Sequence, residues 1–149
     1  MKRILSIIIA LLALSWAADA QVTITKSDVG RAKQLTTLST SWSWIYKQDD
    51  LYFIVLKSDN RFDDSYWLSL GSTRDDCIET ILDLLDLAET IEEIDNYNID
   101  NGVGEVYDVG QYKMLGIKGL RFYGDGYAGT AYITLPNLNK ALKWIEMNL

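Results

Sequence analysis

Several short segments of the chain place apolar residues at every second position, which is the pattern of a β-strand with one buried face. Trp42, Trp44 and Tyr46 form such a series and predict a strand with an aromatic face. The segment 51–56 is apolar throughout, which favours a central strand covered on both faces. Further strands are predicted at 22–26, 66–70, 104–109, 112–118, 120–124 and 129–135. The segment 27–40 has only a weak pattern, and 96–102 has the composition of a loop.

Two segments instead repeat apolar residues every three or four positions, as an amphipathic helix does. The first is predicted at 73–95, with Ser72 or Thr73 as its cap. Its apolar stripe comprises Cys77, Ile81, Leu84, Ala88 and Ile91. The second helix is predicted to open at Pro136, with Asn137 as a cap residue. Its apolar face comprises Leu138, Ala141, Leu142, Ile145 and Leu149, while Lys140 and Lys143 point away.

This order of elements predicts an α+β fold in which an antiparallel sheet carries two helices on one face. The two halves also resemble each other, because Tyr46-Lys47 recurs as Tyr112-Lys113, 66 positions later. The segment 66–70 likewise matches 131–135, and Leu51 and Phe53 match Leu120 and Phe122. Each half then follows the order strand–strand–strand–helix. A duplicated unit and a chance likeness both remain open, as does the choice between one sheet and two.

The first 20 residues have the organisation of a cleavable signal peptide. A basic start at 1–3 precedes an apolar run at 4–14 and the small-residue pattern Ala18-Asp19-Ala20. The stretch from Ile4 to Ala18 has 15 residues, fewer than the roughly 20 that a spanning helix needs. We therefore expect a secreted or periplasmic protein with a single domain at 21–149 and no membrane span after cleavage.

Composition excludes several classes of chemistry. The 149-residue chain has no His and one Cys, so His-dependent catalysis, His-ligated metals and internal disulfides are excluded. No cofactor and no metal site are predicted. The net charge of −7 argues against a nucleic-acid partner, since phosphate recognition needs a basic surface. Cys77 shares the apolar stripe of the first helix, so a buried, inert thiol is favoured over an intermolecular disulfide.

The aromatic strand has two interpretations. Trp42, Trp44 and Tyr46 could line the core beneath the helices, and this interpretation is favoured because large aromatic side chains usually supply buried area. Alternatively, they form an exposed stacking site for a glycan or peptidoglycan. A rigid strand would hold such flat rings at low entropic cost.

The first helix carries a second, acidic stripe. The segment 75–95 contains nine acidic residues and no basic one. Glu79, Asp83, Asp86 and Glu93 share one face of the predicted helix and are candidate partner-binding residues. The simplest interpretation is a solvated helix face. The alternative is a docking surface for a basic protein, since complementary charge speeds encounter and selects the partner.

These observations together favour a non-enzymatic binding protein that acts through protein–protein contact, such as an inhibitor or immunity-type protein for a basic partner. An exported glycan-binding or peptidoglycan-binding module is the alternative. A small carboxylate-dependent hydrolase is a third hypothesis, since paired carboxylates can hydrolyse glycosides. Its candidates Asp63, Asp64 and Asp125 lie in predicted turns, where acidic residues are expected anyway. No catalytic residue is therefore assigned.

Overall fold

The computed structural model describes residues 31–60, 64–124 and 129–149. The predicted signal peptide (1–20) and the predicted strand at 22–26 lie outside these residues. Strands β1 (Lys33–Ser39), β2 (Ser43–Gln48), β3 (Leu51–Leu56) and β4 (Tyr66–Gly71) are followed by helix α1 (Arg74–Thr90). Strands β5 (Asn96–Asp100), β6 (Val106–Met114), β7 (Ile117–Tyr123) and β8 (Thr130–Thr134) are followed by helix α2 (Leu135–Asn148).

The strands form two four-stranded antiparallel sheets, in the orders β1-β2-β3-β4 and β5-β6-β7-β8. The predicted α+β class is confirmed, and the structure has two sheets rather than one. Each half is a meander of neighbouring strands followed by a helix, a layout consistent with the proposed repeat. The repeated unit has four strands rather than three, because the sequence analysis missed the first strand of each sheet.

The missed strands β1 and β5 share a physical cause. Both lie at the edge of their sheet and pair with a neighbour on one side. β1 is rich in Thr and Ser and lacks the apolar alternation of a half-buried strand. In β5, Tyr97 and Ile99 do alternate with polar residues, but those are Asn and Asp, which are typical of loops, and four of the five residues are exposed. The prediction of a loop at 96–102 was therefore wrong for residues 96–100.

The second sheet also corrects the predicted strand boundaries. Two strands were expected at 104–109 and 112–118, whereas β6 runs without a break through Gly110. The chain reverses later, at Leu115 and Gly116. Gly110 lies against the ring of Tyr123. A Cβ at position 110 would be only 3.1 Å from this ring. Here a glycine permits close packing inside a strand and does not end it.

Helix α1 begins as predicted. Thr73 accepts a hydrogen bond from the backbone N–H of Asp76, and the Asp76 carboxylate accepts one from the backbone N–H of Thr73. The helix ends at Thr90 rather than near 95, and two side chains of the second sheet form hydrogen bonds with its C-terminal end. Gln111 Nε2 donates to the Ile91 carbonyl at 2.7 Å, and Lys118 Nζ donates to the Glu89 carbonyl at 3.0 Å. These bonds satisfy carbonyl groups at the end of the helix.

Helix α2 begins with Pro136 in its first turn, as predicted. Its cap is Thr134 rather than Asn137, since the backbone N–H of Asn137 donates to the Thr134 hydroxyl. Leu138, Ala141 and Ile145 are fully buried, so the predicted apolar face is confirmed at these positions. The end of that face is more open, because Leu149 is an exposed residue.

The two halves share one hydrophobic core. All five residues of the predicted α1 stripe are buried in it. Helix α1 packs against α2, β4 and β7, and α2 packs against β1, β7 and β8, so each helix contacts both sheets. Because the helices cover the inner face of the sheets, the opposite faces are where an accessible site can lie.

Candidate ligand-binding face

The aromatic residues at positions 42, 44 and 46 lie on the side away from the helices; Trp44 and Tyr46 belong to β2, and Trp42 directly precedes it. Ser43 and Ile45 are fully buried, whereas Trp42, Trp44 and Tyr46 are half-buried. None of these three aromatic residues belongs to the core cluster. The favoured interpretation that they line the core beneath the helices was therefore wrong. The residues between them take the core positions, because the helices dock on the other side of the strand.

Trp67 is the centre of the outer face of the first sheet. Trp44 lies opposite Val55, and Val55 lies opposite Trp67 on the next strand. The Trp67 ring contacts the edges of two further rings, Tyr46 and Phe53, each at a centroid distance of 5.5 Å. We call Trp44, Tyr46, Phe53, Val55 and Trp67 the aromatic face. Trp67 was not among the predicted site residues, although its place between Tyr66 and Leu68 lies in the predicted strand at 66–70.

Two depressions flank Trp67, and each combines apolar and polar walls. The first has a volume of about 380 Å³ and is lined by Ala32, Trp44, Tyr46, Val55, Lys57, Asn60, Ser65 and Trp67. The second has a volume of about 460 Å³ and is lined by Gln48, Asp49, Leu51, Phe53, Trp67, Asn101, Val103 and Glu105. Half-buried rings next to amide, hydroxyl and charged groups are typical of small-molecule sites.

The wall of the second depression is held rigidly by Asn101. This residue is 1% exposed, and its side-chain oxygen accepts hydrogen bonds from the backbone N–H groups of Val103 and Glu105. Its amide nitrogen donates to Glu105 Oε2 at 3.0 Å, and its backbone carbonyl accepts from the N–H of Ser69 at 2.9 Å. The loop after β5 is therefore attached to the edge of β4.

Glu105 is itself held by Tyr107, whose hydroxyl donates to Glu105 Oε2 at 2.7 Å. Burial and this bond to Glu105 raise the pKa of Tyr107. Gly102 allows the loop to approach β4, because it has a φ of +77° and a Cβ there would lie 2.9 Å from Ser69 Cβ. The position of Glu105 at the rim thus depends on contacts from two strands.

Trp42 is separate from the other two predicted stacking residues. It lines neither depression. Its ring lies 5.9 Å from that of Tyr132 in the second sheet, and Lys57 Nζ lies 5.9 Å from the Trp42 ring centroid. The structure therefore brings Trp44 and Tyr46 together with Trp67 and Phe53, and places Trp42 at the junction of the two sheets.

The acidic residues of α1 face solvent. Glu79, Asp83 and Asp86 are exposed on the helix, and Glu93 is exposed beyond its end, because the helix stops before reaching it. Across 31–60, 64–124 and 129–149, the single ion pair joins Arg74 to Asp75, at 3.6 Å. The acidic stripe is thus not neutralised by basic side chains of the described residues.

Cys77 is buried, as predicted. Burial, and to a lesser degree the charge of Asp76, raises the pKa of its thiol to about 11. A buried thiol with a raised pKa is a poor nucleophile. An intermolecular disulfide through Cys77 would require part of the core to open, so the inert thiol is the better interpretation.

Among the described residues, no group of three or more acidic or Cys side chains is positioned to hold a metal ion. Two carboxylates, those of Asp49 and Glu105, line the second depression. Of the hydrolase candidates, Asp63 and Asp125 lie outside the described residues and Asp64 is exposed. Asp59 has a structural contact, since its carboxylate accepts hydrogen bonds from the backbone N–H and the hydroxyl of Thr130.

No protein-family model, curated protein or solved structure matches this chain. Within the described residues, neither helix combines the length and apolar character that a membrane span requires. The aromatic face and the acidic helix α1 are therefore the two features of the described residues that bear on function.

Proposed function

We propose that the protein is an exported, non-enzymatic binding module that holds a glycan on the aromatic face. The observation that carries this proposal is the position of Trp67 between two depressions, each of which combines an aromatic wall with hydrogen-bonding groups. Export rests on the signal-peptide pattern of residues 1–20.

The chemistry of a sugar fits such a surface. One face of a pyranose ring carries C–H groups, which pack on the flat ring of Trp or Tyr, while its hydroxyl groups require hydrogen-bonding partners. Trp44 and Trp67 provide rings in the first depression, where Lys57 and Ser65 provide polar groups. In the second depression, Gln48 and Glu105 lie near Trp67 and Phe53. Because these rings belong to paired strands, little conformational entropy is lost when a ligand binds.

The test is a glycan array followed by calorimetric titration of the bound oligosaccharide. Trp44→Ala should weaken binding at least tenfold, a loss of about 1.4 kcal/mol. Trp42→Ala is the matched control, since Trp42 is also half-buried and directly precedes β2 but lines neither depression. The affinity should change little with salt, because stacking involves no charge pairing. The proposal fails if no glycan binds, or if Trp42→Ala and Trp44→Ala weaken binding equally.

The acidic helix supports a second candidate, the docking of a basic protein. The supporting observation is that Glu79, Asp83 and Asp86 are exposed and have no ion-pair partner among the described residues. The exported form of the protein would serve as bait for cell-envelope extracts, with washes at low and then moderate salt.

A single basic protein released by salt would favour this candidate, since exposed charge pairs are screened. The triple variant Glu79→Gln, Asp83→Asn and Asp86→Asn should then lose the partner. Capture that persists in this variant would exclude the helix as the docking surface.

A further inference from the structure

The hairpin between β6 and β7 has an apolar tip that lies outside the core cluster, and one of its side chains, Met114, accepts a hydrogen bond at its sulfur from the Tyr112 hydroxyl at 3.7 Å. Leu115 is 93% exposed, Met114 56% and Ile117 46%. Single exposed apolar residues are common on protein surfaces, but three of the four residues at one tip form a continuous patch. This patch lies away from the core, so the stability of the fold does not account for it.

The backbone at the tip is unfavourable for a leucine. Leu115 has a φ of +52° and Gly116 a φ of +81°, so both central residues of the two-residue turn are in the left-handed region. Turns of this kind favour Asn or Asp followed by Gly, because a branched apolar side chain is strained there. Leu115 is therefore both strained and exposed, a combination that points to a function at the tip.

Two lysines lie at the base of the tip. Lys113 and Lys118 face each other directly across the ladder, and Met114 pairs with Ile117 one step closer to the turn. Like charges placed directly opposite repel each other. Lys118 is anchored to the Glu89 carbonyl at 3.0 Å, whereas Lys113 is exposed. An anionic surface in front of the tip would relieve the repulsion between the two lysines.

We propose that this tip inserts into the interfacial region of an anionic lipid bilayer. Met114, Leu115 and Ile117 would enter the boundary between headgroups and acyl chains, and Lys113 would contact the headgroup phosphates. Lys118, which is held at the Glu89 carbonyl, would add positive charge at the base of the tip. A convex tip suits a fluid surface, which needs no preformed pocket. The proposal does not depend on the glycan site, because the tip residues line neither depression.

The net charge of −7 opposes this contact, which is therefore local and shallow. Charges more than about 10 Å from the membrane are largely screened at moderate salt. Binding should thus need both the apolar tip and the lysines, and it should weaken when the anionic lipid is omitted.

The experiment is co-sedimentation of the exported form of the protein with vesicles of phosphatidylcholine, with and without an equal share of phosphatidylglycerol. Binding is expected to the mixed vesicles, and Leu115→Asn should reduce the partition coefficient at least tenfold. Asn tolerates the left-handed turn, so this variant should keep or raise the melting temperature. Lys113→Gln should reduce partition two- to fivefold on mixed vesicles only.

Leu82→Asn is the matched control, since Leu82 is a 49% exposed leucine on α1, outside the tip. It should leave the partition unchanged. The proposal is overturned if neither vesicle binds, or if Leu115→Asn binds like the unmodified protein. It is also overturned if Leu82→Asn has the same effect as Leu115→Asn. Concentration-dependent dimerisation without vesicles that Leu115→Asn abolishes would assign the tip to a contact between two copies instead.

Discussion

The outer faces of the two sheets carry different side chains at equivalent positions of the ladder between the second and third strands. In the first sheet Tyr46 lies opposite Phe53, and in the second Tyr112 lies opposite Gly119, each residue 66 positions later. Tyr46 contacts Trp67 at 5.5 Å with an angle of 61° between the ring planes. Tyr112 instead stacks on Tyr132 at 4.4 Å, with an angle of 1°.

The residue on the middle strand explains this difference. Phe53 lies opposite Tyr46 on the ladder, and its ring makes a T-shaped contact with Trp67, so it packs beside the contact between Tyr46 and Trp67. Gly119 has no side chain, so the ring of Tyr112 on β6 and the ring of Tyr132 on β8 can stack on each other across β7. The first arrangement leaves recesses beside the rings, whereas the second is a closed stack. The residue on the middle strand, Phe53 or Gly119, thus distinguishes the outer faces of the two sheets.

The strand pairing also corrects the alignment between the two halves of the chain. The sequence analysis matched Leu51 and Phe53 with Leu120 and Phe122, but the ladder places Gly119 at the position of Phe53. The core residues Ile54 and Leu56 then correspond to Leu120 and Phe122, and all four are fully buried. The likeness between the halves is stronger in their cores than on their outer faces.

The largest expected effect is that of Phe53→Ala, which removes the ring that packs against Trp67 and lies opposite Tyr46. Phe53 is buried among aromatic rings, so its truncation should lower the free energy of unfolding by about 3–4 kcal/mol. Urea denaturation measures this loss. The control Phe53→Leu retains most of the volume and should cost less than about 1.5 kcal/mol. Equal stability of the two variants would contradict the proposed role of the ring.

A somewhat smaller effect is expected for Gly119→Ala in the second sheet. A Cβ at this position would lie 2.1 Å from the Ile133 carbonyl oxygen, so the strands would have to separate locally. We expect a loss of about 2–3 kcal/mol in the free energy of unfolding. In the matched control Gly110→Ala, the added atom meets the movable ring of Tyr123 at 3.1 Å, so the loss should be smaller. A larger loss for Gly110→Ala would reverse this ranking.

The smallest effects compare the helix caps of the two halves. Thr73 forms a reciprocal pair of bonds with Asp76, whereas Thr134 accepts one bond from Asn137, at 3.4 Å. Thr73→Ala should cost about 1–2 kcal/mol and Thr134→Ala about 0.5 kcal/mol. Thermal denaturation of both variants checks the order, and equal losses would show that the reciprocal bond contributes nothing.

The Thr73 cap should also depend on pH. Its hydrogen bonds lower the pKa of Asp76 in the folded protein. The contribution of the ionised carboxylate is therefore present above the ordinary pKa of an aspartate, and it is lost as the pH falls through the lowered value. The gap between the unmodified protein and Thr73→Ala should narrow in acid.

Much of the helical structure was predictable from the sequence. The α1 stripe from Cys77 to Ile91 is buried as its spacing predicted, since helical period and capping are local properties. The edge strands β1 and β5 were not predictable in this way, because an edge strand with polar side chains is held by backbone pairing to a distant segment. The end of α1 at Thr90 likewise depends on Gln111 and Lys118 from the other sheet.

In the candidate site, too, some features follow from the local sequence and others depend on contacts with distant residues. That Trp44 and Tyr46 share one face of a strand follows from the amino-acid sequence, because successive side chains alternate by the geometry of the backbone. The alternation is the same for either orientation of the strand, so it does not reveal which face the helices cover. That choice depends on tertiary contacts: α1 and α2 pack on the side of Ile45, and Phe53 and Trp67 lie beside Tyr46 on the other face. The physical reason is that periodicity is local, whereas burial depends on contacts between residues far apart in the chain.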